Sequence, residues 1–242
     1  MDKILNFQTS LFGSFIDIKP KSDLVFSLLS NLKDEQFIPG TVDLATIDIK
    51  TGKLTTESRM QFISQDKTWS IVFLQERIDF NYNFQENTEK IKNIEKLSAH
   101  ANHLINKVFS EFSETTGNRL AVNCKILMEE FSEEQFNAFV NRFIVPLNIN
   151  KNGKLAEWSV RYNYNNQINV DIEKKEQSNC IIDMSQVINK VNSEEKRVLI
   201  SLDVNTLKEN QEPRFKYENL LKFSDGAKRF MKEALQEVEE GV

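Results

Sequence analysis

Two short strings constrain this chain more than anything else in it. Ile78-Asp79-Phe80-Asn81 and Leu202-Asp203-Val204-Asn205 each close a run of strand-like residues, and each precedes a long amphipathic helical pattern. The following helices also align: Lys96, Ser98, Ala101 and Glu111 coincide with Lys222, Ser224, Ala227 and Glu237 at an offset of 126 (222 − 96). At the same offset Leu104, Ile105, Phe109 and Phe112 fall on Phe230, Met231, Leu235 and Val238. The Asp-x-Asn strands need an offset of 124 (203 − 79), and an earlier helix pair, Phe26 and Leu29 against Phe136 and Phe139, needs 110 (136 − 26). An offset that grows along the chain places extra residues in the second copy, between its first helix and its last strand. Repetition of this kind governs every later reading of the fold. Any two amphipathic helices share a 3.6-residue period, however, which by itself produces apolar matches.

Periodicity and punctuation supply the elements. Ile4 to Ile16 reads as a strand, Ser22-Asp23 caps a helix with Leu24, Leu28, Leu29 and Leu32 on one face, and Pro39-Gly40 ends that passage. Strand-like runs follow at 42–49, 54–63, 68–74 and 77–84, joined by tight turns as in an antiparallel meander. A helix is expected from Thr88 to Phe112, with Ile94, Leu97, Ala101, Leu104, Val108 and Phe112 on its buried stripe. Gly117-Asn118 opens the second half. There the pattern predicts a strand at 119–128, a helix from Ser132 opened by the capping-box pattern Ser132-Glu133-Glu134-Gln135, strands near 154–164, 167–174, 179–189 and 196–204, and a closing helix at 217–238. The expected fold is α+β: tandem duplicated β-α-β4-α units at 1–116 and 117–242 in one pseudo-symmetric body, an antiparallel sheet with helices packed on one face.

In element order, tandem copies of this unit resemble the duplicated saddle of the TATA-box-binding proteins, and a single copy is similar to the helix-grip ligand binders. A second likeness rests on residues: Arg59-x-x-Phe62-x-x-x-Asp66 with Trp69, Arg77-x-x-Phe80-Asn81, Arg119-Leu120 opening a strand, and Leu202-Asp203 before the last helix. This pattern resembles a sporadically distributed family of uncharacterised bacterial proteins. The resemblance implies a bacterial or mobile-element origin and assigns no catalytic residue; the family's proline-rich opening is missing here.

Composition narrows the function classes. With 40% apolar and 28% charged residues the chain can bury a core. No run approaches the ~20 apolar residues of a membrane span, and Met1-Asp2-Lys3-Ile4 does not begin a signal core, so the expectation is a cytoplasmic protein without membrane association. Net charge is −5, from 31 basic and 36 acidic residues, which disfavours a strong non-specific grip on nucleic acid. Cys124 and Cys180 sit within strand alternations and read as buried free thiols. His100 and His103 lie three apart on one helix, off its buried stripe, and read as surface residues rather than a metal pair. Asp171-x-Glu173-x-Lys175 has the spacing of a metal-nuclease motif if Glu157 joins it from a paired strand; a charged hairpin tip explains the same residues. Neither a phosphate loop nor a dinucleotide fingerprint occurs, so no cofactor is expected.

The strands themselves point to function. Ile78, Phe80, Tyr82 and Phe84 alternate with Arg77, Asp79, Asn81 and Asn83; Trp158, Val160, Tyr162 and Tyr164 alternate with Arg161 and Asn163; Val198, Ile200, Leu202 and Val204 alternate with Asp203 and Asn205. If the helices cover the apolar side, the other side is a broad polar surface carrying Arg59, Gln61, Arg77, Asp79, Asn81, Arg161, Asn163, Asp203 and Asn205. Solvation alone explains such polarity. The functional expectation is a non-catalytic interaction protein, an adaptor or inhibitor in a bacterial or phage conflict system, that binds a protein partner through this face. The alternatives are a saddle-like nucleic-acid binder and a helix-grip binder of a small apolar ligand.

Overall fold

In the computed structural model, which describes residues 2–47, 50–86, 93–144, 157–188 and 195–240, β1 (Lys3–Phe12) leads into α1 (Ser22–Asn31), then β2 (Phe37–Ile47), β3 (Leu54–Ser64), β4 (Trp69–Phe73), β5 (Arg77–Asn83) and α2 (Ile94–Phe109). The rest of the chain gives β6 (Arg119–Leu127), α3 (Glu133–Phe143), β7 (Ser159–Asn169), β8 (Lys175–Ile188), β9 (Lys196–Thr206) and α4 (Tyr217–Glu239). All nine strands join one antiparallel sheet in the order β2-β3-β4-β5-β1-β6-β9-β8-β7. Each half of the chain contributes one flank, and β1 and β6 pair where the flanks meet.

The order of elements has a mirror character that the registers make quantitative. On β1, Ser10 pairs with Asp79 of β5; on β6, Asn123 pairs with Asp203 of β9. Ser10 and Asn123 lie 113 residues apart (123 − 10). At the seam between β1 and β6, Thr9 faces Val122, also 113 apart (122 − 9). These registers are thus symmetric about an axis through the Thr9–Val122 pair.

Above the sheet, α2 and α4 pack side by side across that axis. Small residues at the crossing allow close approach: Ala101 and Ala227 are fully buried, and the buried Ser98 and Ser224 hydroxyls lie 3.3 Å apart. These are residues the sequence places at equivalent positions. Beneath the helices, apolar strand positions form the core, among them Phe7, Leu11, Ile78, Phe80, Tyr82, Val122, Cys124, Leu202 and Val204. Aromatic pairs fix its packing, with Phe80–Phe109 centroids 6.2 Å apart and Tyr217 stacked on Phe109 at 5.7 Å. Both cysteines are buried free thiols, pushed up by burial to about 12 for Cys124 and about 11 for Cys180.

Several boundaries differ from the sequence reading. Ser22 is the first helical residue of α1, not its cap; Lys21 precedes it without a side-chain cap. Pro39 and Gly40 lie inside β2, which is tolerable because β2 is an edge strand and needs no outward N–H bond there. The two strands expected near 154–164 and 167–174 are one: Asn165 and Asn166 stay in the β7–β8 ladder opposite Asn179 and Ser178, and the turn comes only after Asn169. Among the described residues the second half thus has three strands after its first helix, where the first half has four. Residues 88–92 of the expected long helix and 154–156 of the expected strand lie outside the described residues. Ser132 does form the reciprocal capping box, its Oγ accepting from Gln135 N while Gln135 Oε1 accepts from Ser132 N.

Gly117 sits where the two halves meet, bonded through its N–H to Phe215 O at 2.7 Å. A Cβ at this position would lie 2.3 Å from the Phe12 carbonyl oxygen and 2.5 Å from Leu11 Cδ1. Gly117→Ala is therefore expected to destabilise the fold by roughly 1–3 kcal/mol, measured by urea unfolding, whereas Gly40→Ala, with open space around it, should change stability far less.

Candidate interaction surface

Among the described residues, all four helices lie on one side of the sheet, so the other side shows its strand residues directly. The registers arrange them in rows that cross the sheet. One complete row runs Ile38, Ile63, Ser70, Asn81, Gln8, Asn123, Asp203, Ile181, Asn163. The next runs Gly40, Gln61, Val72, Asp79, Ser10, Ala121, Asn205, Asn179, Asn165. Six of the residues expected at the site, Gln61, Asp79, Asn81, Asn163, Asp203 and Asn205, therefore occupy two adjacent rows. Arg77 and Arg161 stand in the rows that flank them, one on each side.

Arg59 is different. It is fully buried, and its Nη1 donates to the carbonyls of Phe15 (3.3 Å), Ile16 (3.3 Å) and Ile18 (3.1 Å), with Glu57 3.2 Å from Nη2. The cause is a mismatch of strand lengths. β4 pairs with β3 only at Gln61–Ile63, so beyond its end the segment between β1 and α1 wraps the β4–β5 turn and supplies carbonyls to Arg59. Alternation places Arg59 on the polar side, but it holds the fold and does not reach the open surface.

At the centre of the face the polar groups are saturated by one another. Asp79 is 3% exposed; its Oδ1 accepts from Ser10 Oγ (2.7 Å) and its Oδ2 lies 2.8 Å from Arg77 Nε in an ion pair. Burial raises the Asp79 carboxyl above the ordinary carboxylate range, and the Ser10 hydrogen bond and the Arg77 charge offset this only in part. Asp203 is less enclosed and accepts from Asn205 Nδ2 at 3.0 Å. The Asn123 amide turns its nitrogen to Asp203 Oδ1 (2.6 Å) and Val122 O, because the reverse orientation would set two acceptor oxygens against each other. The two aspartates thus occupy equivalent strand positions with different partners.

Two features escaped the sequence reading. Phe12 lies between Arg77 and Arg119 in one row, their guanidinium carbons 5.8 Å and 4.8 Å from its ring centroid. Alternation along β1 puts Phe12 on the polar side and was the available signal. The second is a cleft of about 570 Å³ beside the helices, lined by Glu35, Asp66, Trp69, Lys96 and His100 among others. His100 packs on Trp69 (4.6 Å between centroids), and burial lowers its pKa against the pull of Glu35. Burial opposes ionisation of Asp66 as well, but hydrogen bonds from Ser64 and Thr68 outweigh it and hold the carboxyl low. His103 Nε2 meets Glu35 Oε1 at 3.0 Å, so both histidines gather on one carboxylate rather than standing free in solvent. No group of ligating side chains with metal-site geometry occurs among the described residues.

The nuclease-like spacing does not assemble. Asp171 and Glu173 lie in the exposed β7–β8 turn, and Glu157 precedes β7 at the opposite end of that 11-residue strand, roughly 30 Å away. The spacing suggests a site only if β7 is split at Asn165-Asn166, and the continuous β7–β8 ladder rules that pairing out.

Comparison with known proteins adds no assignment: no protein-family model, curated protein or solved structure matches the chain at significance. No helix among the described residues is long and apolar enough to cross a membrane.

Arg59→Met should cost about 3 kcal/mol in urea unfolding, since it removes the donor to one buried and two part-buried carbonyls and takes a buried cation from its partner. For Asp79 the raised folded pKa means that its stabilising protonated form is present below the ordinary carboxylate value and is lost as pH rises through the folded one. Carbon-detected NMR titration should find the Asp79 carboxyl above the ordinary aspartate value and higher still in Arg77→Gln.

Proposed function

We propose that this protein is a non-catalytic interaction module, an adaptor or inhibitor that docks a protein partner on its open sheet face. One observation carries the reading: a nine-stranded sheet with every described helix on one side leaves a wide, ordered polar surface on the other. Its side chains are pinned by mutual hydrogen bonds, which limits the entropy lost when a partner covers them. Amides dominate the central rows, and they can donate and accept at once, as a protein surface requires.

The same reading takes the two halves as copies of one ancestral unit. Support comes from the shared offset of 113 at the seam and in the flanking registers, and from Ser98 meeting Ser224 across the helix pair. A duplicated unit presents two related half-surfaces side by side, with Asp79 and Asp203 on either side of the axis. Among the described residues the second half has no counterpart of the fourth strand, which makes the surface lopsided and gives a bound partner one preferred orientation.

Affinity capture from the native host, with quantitative mass spectrometry, tests the docking face. A specific partner should be retained by wild type and by the helix-side control Phe26→Ser, and lost with Asn163→Glu/Asn165→Glu, two exposed β7 positions on the face. Equal retention by the face variant would place docking elsewhere.

A further inference from the structure

The charge of the open face runs opposite to that of the chain. With the buried Arg59 left out, strand residues on that side include seven basic side chains (Lys3, Arg77, Arg119, Lys125, Arg161, Lys175, Arg197) and four acidic ones (Glu57, Asp79, Asp183, Asp203). The four helices carry seven basic and nine acidic residues, and the whole chain 31 and 36. A protein acidic overall therefore concentrates positive charge on the one side its helices leave uncovered. Such an arrangement steers an acidic partner to this face in preference to the helix side.

Within the face, Arg77, Phe12 and Arg119 form its most specialised group. They are in register on three neighbouring strands, β5, β1 and β6. Arg77 pairs with Asp79 through its Nε, and its side chain is 41% exposed. Arg119 has no carboxylate partner among the described residues, and its Nε is buried without an acceptor. Phe12 holds both guanidinium groups against its ring, which reduces the rotamer freedom each would lose on meeting an anion.

Building on the docking-face reading above, we propose that the partner presents an acidic protein segment, whose carboxylates are received by Arg77 and Arg119 on either side of Phe12. Planar carboxylates match the guanidinium fork in bidentate geometry. The row of Asn81, Gln8 and Asn123, which lies beyond that of Asp79, Ser10 and Ala121, then meets the segment's backbone amides. A nucleic acid fits less well. Its evenly spaced phosphates would run over Asp79, Asp183 and Asp203, and single-strand binding favours free aromatic platforms, whereas Phe12 is the one aromatic at these strand positions and guanidinium groups already lie over it.

Fluorescence anisotropy with the full chain at low salt tests this, using a labelled 12-residue glutamate-rich peptide, its glutamine analogue, and a DNA duplex and single strand of matched charge. The acidic peptide should bind, weaken with added salt, and lose roughly tenfold or more in affinity with Arg119→Glu, while the exposed α4 control Lys222→Glu leaves it unchanged. Arg119→Gln, a milder change, should lie between, and circular dichroism melting confirms that each variant is folded. No binding of the acidic peptide, binding indifferent to Arg119, or equal binding of the glutamine analogue overturns the proposal. DNA binding tighter than the peptide, with the same Arg119 dependence, overturns it in favour of nucleic acid. Should the captured host partner be lost with Asn163→Glu/Asn165→Glu yet unaffected by Arg119→Glu, the acidic chemistry fails and the docking face stands. A partner indifferent to both removes both readings.

Discussion

Everything in this structure depends on the hydrogen-bonded seam between β1 and β6. Without it the chain would be two smaller sheets, each with a long exposed edge and each with one long helix over a half-covered apolar face. With it, β1 becomes an interior strand paired on both sides, and α2 and α4 are brought close enough for Ser98 to meet Ser224. The small residues at that crossing are a condition of the seam, because bulkier side chains would hold the helices apart and lift them from the strands.

The seam also explains why the polar side stays uncovered. Among the described residues both halves place their helices on the same side of the sheet, so neither covers the other face. The central polar groups respond to this exposure by bonding to one another, so that Asp79, although no helix covers it, is nearly inaccessible beneath Arg77 and beside Ser10.

Much of this was legible in the residues, and the failures have physical causes. Strand alternation and the 3.6-residue stripe found most elements and placed Gln61, Asp79, Asn81, Arg161, Asn163, Asp203 and Asn205 on one side, because both periods are local. The offset of 126 picked out Ser98 and Ser224, residues that touch. Arg59 was misjudged because its burial comes from a segment more than 40 residues earlier in the chain, filling the space beyond a short neighbour strand. β7 was split because Asn165-Asn166 has turn composition but is held extended by its partner strand. The cleft at Trp69 and His100 draws on a turn, a strand and a helix distant in sequence, and no periodicity announces such a meeting.

β1 imposes an order on the assembly of the molecule. Its ten residues are synthesised well before either neighbour strand, one of which ends at Asn83 and the other at Leu127. Throughout synthesis of the first half the edge that belongs to β6 is open, and the buried sides of Ala101 and Leu104 have no α4 to meet. Pairings this remote in sequence form slowly, and an open edge is a template for any extended strand nearby. The nascent half-chain is thus a state in need of protection, and a truncation near residue 116 would produce a sticky fragment rather than a small independent domain.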